Sequence, residues 1–166
     1  RRIDGHLHAL TARERFGLDL LQSTLEDAAF PDASFDVTHM SHVLEHLEDP
    51  LRSLEEVRRV VRPGGVVALE VPNEFGDLLG SVRALLMRRP RAVYAVPSPH
   101  LFFFTPATLR RVVARAGFRT LQVRTPRRDR DRGSRIPFGL WGKRAVYALE
   151  DLMRRGPLIE LYAKRP

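Results

Sequence analysis

Residues 30–50 of the chain read FPDASFDVTHMSHVLEHLEDP, and this stretch contains a strand and the start of a helix. The segment FPDAS has the composition of a turn. The segment FDVTHM, residues 35–40, predicts a buried strand. Asp49 can cap a helix, and Pro50 suits its first position. An apolar face at helical spacing then runs along the segment, formed by Leu51, Leu54, Val57 and Val61.

The same stretch contains the spacing H-x-x-E-H, formed by His42, Glu45 and His46. This spacing is the signature of the inverzincin metalloproteases, where two histidines on one helical face hold zinc. That arrangement requires a long helix, whereas here the motif directly follows a strand and the main helix starts only at Asp49. The context therefore disfavours a zinc protease, and we expect no metal. One alternative stays open, a site of these three residues, because imidazole and carboxylate both suit zinc.

Outward from this stretch, predicted strands and helices alternate along the chain. The sequence RPGG ends the first helix, and VVALEV, residues 66–71, predicts a second strong strand. A helix starts at Thr105-Pro106 and ends at Gly117. Further strands are predicted at residues 1–4, 18–22, 118–123 and 158–163. This alternation indicates one α/β domain over residues 1–166, with a mostly parallel sheet and an antiparallel edge strand.

Composition limits the classes of function. The net charge is +8, but the basic residues are nearly all arginines dispersed among acids, so the charge does not favour a nucleic-acid partner. The chain has no cysteine, which excludes disulfides and thiolate metal sites. It has no apolar run near the ~20 residues of a membrane span and no signal-peptide pattern at its start. We expect a cytoplasmic protein and make no prediction of its oligomeric state.

Three segments together resemble the class I S-adenosylmethionine-dependent methyltransferases: FPDASFDVTHMSHVLEHLEDP, LEEVRRVVRPGGVVALEVPN and PHLFFFTPATLRRVVARAGF. The group that contains the ubiquinone-biosynthesis and many small-molecule methyltransferases is the most similar. The resemblance implies a Rossmann-like sheet in which strands 35–40, 66–71, 158–163 and 118–123 lie side by side in that order. It also implies S-adenosyl-L-methionine as cofactor and a small-molecule acceptor as partner.

The resemblance carries site residues with it. Asp4 would hydrogen-bond both ribose hydroxyls, and Leu25 and Glu26 would line the adenine. Met40, Ser41 and His42 would touch the methionine part of the cofactor, at the carboxyl end of their strand. Two histidines are candidates for the base that removes a proton from the acceptor. These candidate catalytic residues are His46 and His100. The alternative role of His46 is a hydrogen bond at a helix terminus, and that of His100 is packing in the core beside LFFF.

The family's glycine-rich turn after its first strand has no counterpart in the sequence. We therefore expect an N-terminally truncated domain that begins where its second strand ends, with a free edge on strand 35–40 and weak binding of the cofactor. The alternative function is a degenerate, non-catalytic interaction module. Residues 74–99 are the predicted lid or acceptor-site insertion. A further alternative is peripheral contact of residues 74–99 and 136–155 with a membrane surface.

Overall fold

The computed structural model describes residues 2–3, 17, 20–21, 23–73, 100–126, 148 and 156–166. A short 3-10 turn spans Leu44–His46. The regular elements, in chain order, are β1 (Arg2–Ile3), β2 (Leu20–Leu21), β3 (Phe35–Ser41), α1 (Pro50–Val60), β4 (Val61–Pro72), α2 (Pro106–Arg115), β5 (Arg119–Arg124) and β6 (Leu158–Lys164).

Four strands form a mixed sheet in the order β3-β4-β6-β5, which confirms the predicted neighbours. Strands β3 and β4 are parallel, whereas β6 runs antiparallel to both β4 and β5. The predicted antiparallel edge is therefore the β5–β6 pair. The reversed strand itself, β6, lies one position in from the edge. The α/β class is confirmed, and the β3–β4 pair places two strand ends at one edge of the sheet.

The two short strands β1 and β2 pair with each other in parallel and form a separate two-stranded sheet. Their register joins Arg2 to Leu20 and Ile3 to Leu21. This agrees with strands predicted at residues 1–4 and 18–22. Within the described ranges β3 pairs with β4 alone, and the truncation expected from the sequence stays a prediction.

The hydrophobic core lies between the four-stranded sheet and the two helices. In β4 and β6 the buried apolar side chains alternate and match across the pair, where Leu69 is opposite Leu161 and Val71 is opposite Ile159. Leu54 and Val57 of α1, with Leu109 and Val113 of α2, close the same cluster. Both helices begin at the predicted caps, since the Asp49 carboxylate accepts a hydrogen bond from Arg52 N and Thr105 forms a capping box with Thr108.

The sequence RPGG is part of strand β4, and the prediction that it lies between helix and strand was wrong. Helix α1 ends at Val60, and Val61 is the first residue of β4. Two backbone hydrogen bonds between residues 64–65 and Arg165 hold the glycines beside the end of β6. The Arg165 guanidinium donates to the carbonyls of Arg58, Arg59 and Val61 at the end of α1. The arginine therefore satisfies carbonyls that a helix end leaves without partners.

An arginine on α1 ties the helix to the loop before β3. The Arg59 guanidinium donates to the Phe30 carbonyl at 2.7 Å and to the Glu56 carboxylate at 2.6 Å, and it also pairs with Asp32. The hydrogen bond from Arg59 lowers the pKa of Glu56. The pKa of Arg59 is raised in turn, first by Glu56 and then by Asp32.

Strand β3 is more exposed than predicted. Its side chains alternate between half-buried and exposed positions, and Val37 keeps 60% of its surface accessible. In the described part of the chain, β4 covers one edge of β3, and Met40 is the only residue of β3 that packs against the core. The prediction of a buried strand was therefore wrong for this part.

Several predictions lie outside the described residues, namely the lid at 74–99, Asp4 and nearly all of segment 136–155. No helix in the described part of the chain is long and apolar enough to cross a membrane.

Candidate functional site

The candidate site lies where the carboxyl ends of the parallel strands β3 and β4 meet, the edge at which open α/β sheets bind ligands. Ser41 is the register partner of Glu70, and its hydroxyl donates to Glu70 Oε1 at 3.2 Å. The next amide, His42 N, donates to the Glu70 carbonyl at 2.9 Å. Glu70 is only 3% exposed, so β4 delivers a buried carboxyl group to the exit of β3.

His42 occupies a strained backbone position directly after β3. Its φ of +53° lies in the left-handed region that non-glycine residues seldom adopt. The imidazole lies between two buried carboxyl groups, with Nε2 3.3 Å from Glu70 Oε1 and Nδ1 3.3 Å from Glu45 Oε1. The side chain is 47% exposed, so it joins these acids to solvent. Backbone strain of this kind often marks a functional position.

The 3-10 turn after His42 buries Leu44 completely and leaves Glu45 1% exposed. Both carboxyl oxygens of Glu45 are buried and have no hydrogen-bond partner among the described residues. His42 Nδ1 at 3.3 Å and His46 Nε2 at 3.9 Å are nearby ring nitrogens. His42 Nδ1 is close enough to Glu45 for a hydrogen bond but is not aligned for one. Both imidazoles therefore influence the Glu45 carboxylate only through their electrostatics. A buried carboxyl group without hydrogen bonds is energetically costly, which indicates that it has another purpose.

The segment that begins at His100 is fixed to this turn by backbone hydrogen bonds. The amides of Leu101 and Phe102 both donate to the Glu45 carbonyl, at 2.8 and 3.1 Å. This contact places the ring of His100 edge-on against the ring of His46, with 4.8 Å between centroids. The two predicted catalytic histidines are therefore brought together although they lie far apart in the chain.

The LFFF sequence after His100 is core only in part. Leu101 is 58% exposed and Phe102 is also exposed, whereas Phe104 is buried in the core. Core packing of the whole segment, the alternative interpretation of His100, is therefore wrong for its first two residues. The amides of Leu101 and Phe102 hold the turn, while the side chain of Phe102 borders a groove beside Leu51 of α1 and Val112 of α2.

The predicted cofactor-binding residues divide into two groups. Met40, Ser41 and His42 lie at the carboxyl end of β3, as predicted. Leu25 packs against the core, while the Glu26 carboxylate accepts a hydrogen bond from the Ser53 hydroxyl of α1 at 3.2 Å. These contacts place Leu25 and Glu26 beside the helical layer, and their predicted adenine contacts stay predictions.

Glu70 is the site residue that sequence reasoning missed. It is the one charged residue in VVALEV, next to the carboxyl end of an otherwise apolar strand. A charge inside a core strand is unusual unless it is paired or functional, and that signal could have identified it. The ring nitrogens of His46 and His100 and a carboxyl oxygen of Glu45 also lie within 4.8 Å of one another, so these groups could hold a metal ion.

The sheet order and the parallel β3–β4 pair match the fold of the class I S-adenosylmethionine-dependent methyltransferases. A family model described as a methyltransferase domain matches residues 10–123. The chain belongs to this methyltransferase family.

Individual relatives agree with this assignment. The chain is 31% identical over 127 residues to the demethylmenaquinone methyltransferase of Deinococcus radiodurans, covering 66% of this chain and 53% of that enzyme. It is 39% identical over 69 residues to the ubiquinone/menaquinone biosynthesis C-methyltransferase UbiE of Bdellovibrio bacteriovorus, covering 40% of this chain and 28% of that enzyme. The chain thus spans about half or less of the length of these relatives.

A solved structure shows the same fold. The S-adenosylmethionine-dependent methyltransferase from Archaeoglobus fulgidus superposes with a TM-score of 0.63 at 18% identity, covering 98% of this chain and 74% of that chain. The family and the fold imply S-adenosylmethionine as the cofactor.

Proposed function

We propose that the protein transfers a methyl group from S-adenosylmethionine to a small-molecule acceptor at the carboxyl edge of β3 and β4. The observation that carries the proposal is the convergence of His42, Glu45, His46, Glu70 and His100 at this edge. Each belongs to the exit of a parallel strand or to the segment hydrogen-bonded to that exit.

The chemistry of these groups fits the cofactor's amino-acid end, which carries a sulfonium and an ammonium cation. Glu45 and Glu70 supply buried carboxyl oxygens, and the two Glu45 oxygens have no hydrogen-bond partner in the part of the chain that the structure describes. Ser41 and His42, which lie between these acids and solvent, are both exposed and within reach of a ligand. The cofactor supplies an already activated methyl group, so the protein has to position the acceptor and remove its proton.

Proton removal is assigned to the pair His46 and His100. A neutral imidazole accepts a proton near neutral pH, and both rings are partly open to solvent. The ring of Phe103 lies edge-on to the His100 ring, with 6.4 Å between centroids, which favours an acceptor with an apolar body and an ionisable hydroxyl or carbon acid. The quinone-related names of the two relatives agree with such an acceptor.

The test measures cofactor binding by calorimetry and methyl transfer with isotope-labelled S-adenosylmethionine and a panel of quinol and phenol acceptors. It uses this chain and the chain extended by any residues that its reading frame encodes before Arg1. Labelled product from either preparation is the expected result. Absence of both cofactor binding and transfer in both preparations would contradict the proposal and favour a non-catalytic interaction module.

Variants then test the assigned bases. We expect His46→Gln and His100→Gln to lower turnover by roughly 10²–10⁴-fold, the range for loss of a positioned acid or base. Cofactor affinity should change little. His39→Gln removes an exposed histidine from β3 and serves as the matched control. Unchanged turnover in both site variants would remove the two histidines from the mechanism.

A further inference from the structure

Three groups with metal-ligand chemistry meet beside the exit of β3. A carboxyl oxygen of Glu45 and one ring nitrogen each of His46 and His100 all lie within 4.8 Å of one another. Ligands held about 2.1 Å from a tetrahedral zinc ion lie about 3.4 Å apart. Rotations of the two partly exposed imidazoles, which close the spacing by little more than an ångström, are therefore enough to form a coordination shell.

A second observation points to a cation at this place. Glu45 is 1% exposed, and neither of its carboxyl oxygens has a hydrogen-bond partner within the described ranges. Its backbone carbonyl, by contrast, accepts two hydrogen bonds from the segment that carries His100. The main chain is thus firmly held, while the acidic group remains unsatisfied inside the cluster. A metal ion would supply the missing partner.

We propose that Glu45, His46 and His100 form a binding site for a divalent transition-metal ion, with zinc as the best match. Two imidazoles and one carboxylate are a common donor set for zinc and iron, whereas magnesium and calcium prefer oxygen ligands alone. Glu45 approaches the ion from the buried side, and the two imidazoles approach it from the side open to solvent. Because the third ligand comes from residue 100, the ion would cross-link the β3 exit and the segment before α2.

This ligand set differs from the one that the H-x-x-E-H spacing suggests. His42 lies between Glu45 and Glu70, 3.3 Å from each carboxyl group. In the proposed site it supports the Glu45 carboxylate as an electrostatic neighbour and does not bind the ion, a role typical of groups around metal ligands. The structure therefore assigns the third ligand to His100, at a distance in sequence that no local motif reveals.

The metal site stands apart from the proposed methyl transfer, because zinc binding needs neither cofactor nor acceptor. The two roles use the same Glu45 carboxylate and the same imidazole lone pairs. In a single molecule these groups therefore either bind the ion or serve methyl transfer. Failure of zinc binding would leave the transfer reaction untouched. Failure of methyl transfer would leave the zinc measurement untouched.

The experiment titrates metal-free protein with Zn²⁺ alone by calorimetry, and measures bound metal by elemental analysis after gel filtration. A parallel titration with Co²⁺ follows the visible absorption that reports mixed nitrogen and oxygen ligands. The variants are His100→Ala, His46→Asn, Glu45→Gln and His42→Ala, with His39→Ala as matched control. Circular dichroism of each metal-free variant shows whether it has folded.

Wild type and His39→Ala should bind one ion per chain and show the same cobalt spectrum. Loss of a residue that only supports a metal ligand typically weakens metal binding by about 10–100-fold. Loss of a ligand itself should weaken zinc binding by more than that in each of three variants: His100→Ala, His46→Asn and Glu45→Gln. His42→Ala should keep the stoichiometry of one and bind less tightly. Zinc should also raise the thermal midpoint of wild type but not of Glu45→Gln.

Equal affinity in wild type and folded His100→Ala would overturn the proposed ligand set. Absence of stoichiometric zinc and cobalt binding by wild type would overturn the site itself. If His100→Ala does not fold, the comparison of His46→Asn with His39→Ala decides the outcome in the same way.

Discussion

Replacement of His42 by glycine and by alanine separates the two physical roles of this residue. Both substitutions remove the imidazole that lies 3.3 Å from Glu45 and 3.3 Å from Glu70. They differ at the backbone, because φ at this position is +53°. Glycine adopts that conformation freely, whereas alanine keeps the steric conflict between Cβ and the backbone.

The expected difference follows from two opposing terms. A left-handed conformation costs a non-glycine residue about 1–2 kcal/mol. Glycine in turn loses about 0.4–1 kcal/mol through the greater freedom of its unfolded chain. We therefore expect His42→Gly to be more stable than His42→Ala by about 0.5–1 kcal/mol. Both should be less stable than wild type, since two buried acids lose a nearby imidazole.

Urea denaturation at neutral pH, followed by circular dichroism, measures these differences from the midpoint and slope of each transition. The control pair is His39→Ala and His39→Gly, at an exposed position of β3 whose φ is not positive, and there the alanine variant should be the more stable one. If His42→Ala exceeds His42→Gly in stability by as much as His39→Ala exceeds His39→Gly, the strained backbone contributes nothing at this position.

Three further predictions concern the framework of the site. Gly65→Ala should lower the free energy of unfolding by about 1–3 kcal/mol, because its Cβ would lie 2.6 Å from Val61 Cγ1 and 2.8 Å from the Asp36 carbonyl. The control is Gly64→Asn, where φ is +80° and a Cβ would meet nothing nearer than the Lys164 side chain at 3.8 Å. Similar losses in the two variants would refute the steric argument. Glu56→Gln should flatten the acid limb of a stability-against-pH curve. The hydrogen bond from Arg59 lowers the pKa of Glu56 in the folded state. The stabilising pair is therefore present above the ordinary pKa of 4.5 and is lost as the pH falls through the folded-state pKa. An acid limb that is the same in wild type and Glu56→Gln would contradict this assignment. Leu54→Ala should cost about 2–5 kcal/mol in urea denaturation, because this side chain is completely buried, and a loss below ~1 kcal/mol would show that the core under α1 collapses to fill the space.

Much of the fold could be predicted because local signals agree with the tertiary structure. Asp49-Pro50 and Thr105-Pro106 mark helix starts that depend only on capping and on the fixed φ of proline, so both were located correctly. The order of the four strands came from the resemblance to a family. Hydrophobic pattern alone identifies strands without stating their neighbours.

The errors arose where tertiary contacts override local preference. Glycine and proline in RPGG predict the end of an element, yet hydrogen bonds with Arg165 hold this segment in β4. The segment FDVTHM predicts a buried strand, but burial depends on what covers the strand, and Val37 remains 60% exposed in the described part. Neither effect is encoded near the residues concerned.

The site shows the same division between local and distant information. Ser41, His42 and His46 could be selected from the sequence because they follow a strand in a recognisable segment. The partnership of His46 with His100 could not be derived from spacing, because it depends on two amide hydrogen bonds to the Glu45 carbonyl. Glu70 entered the site only through its register with Ser41.

The H-x-x-E-H spacing therefore acquires its meaning from backbone geometry. In a helix, residues four apart lie on one face and their side chains can converge on one ion. Here His42 precedes the turn with φ of +53°, and the 3-10 turn covers only Leu44–His46. The first histidine consequently faces the acids Glu45 and Glu70, while the second faces His100. The two histidines of the motif thus contact different groups, although in a zinc helix they would face the same ion. A set of two histidines and one carboxylate still forms, because His100 from a different segment joins Glu45 and His46.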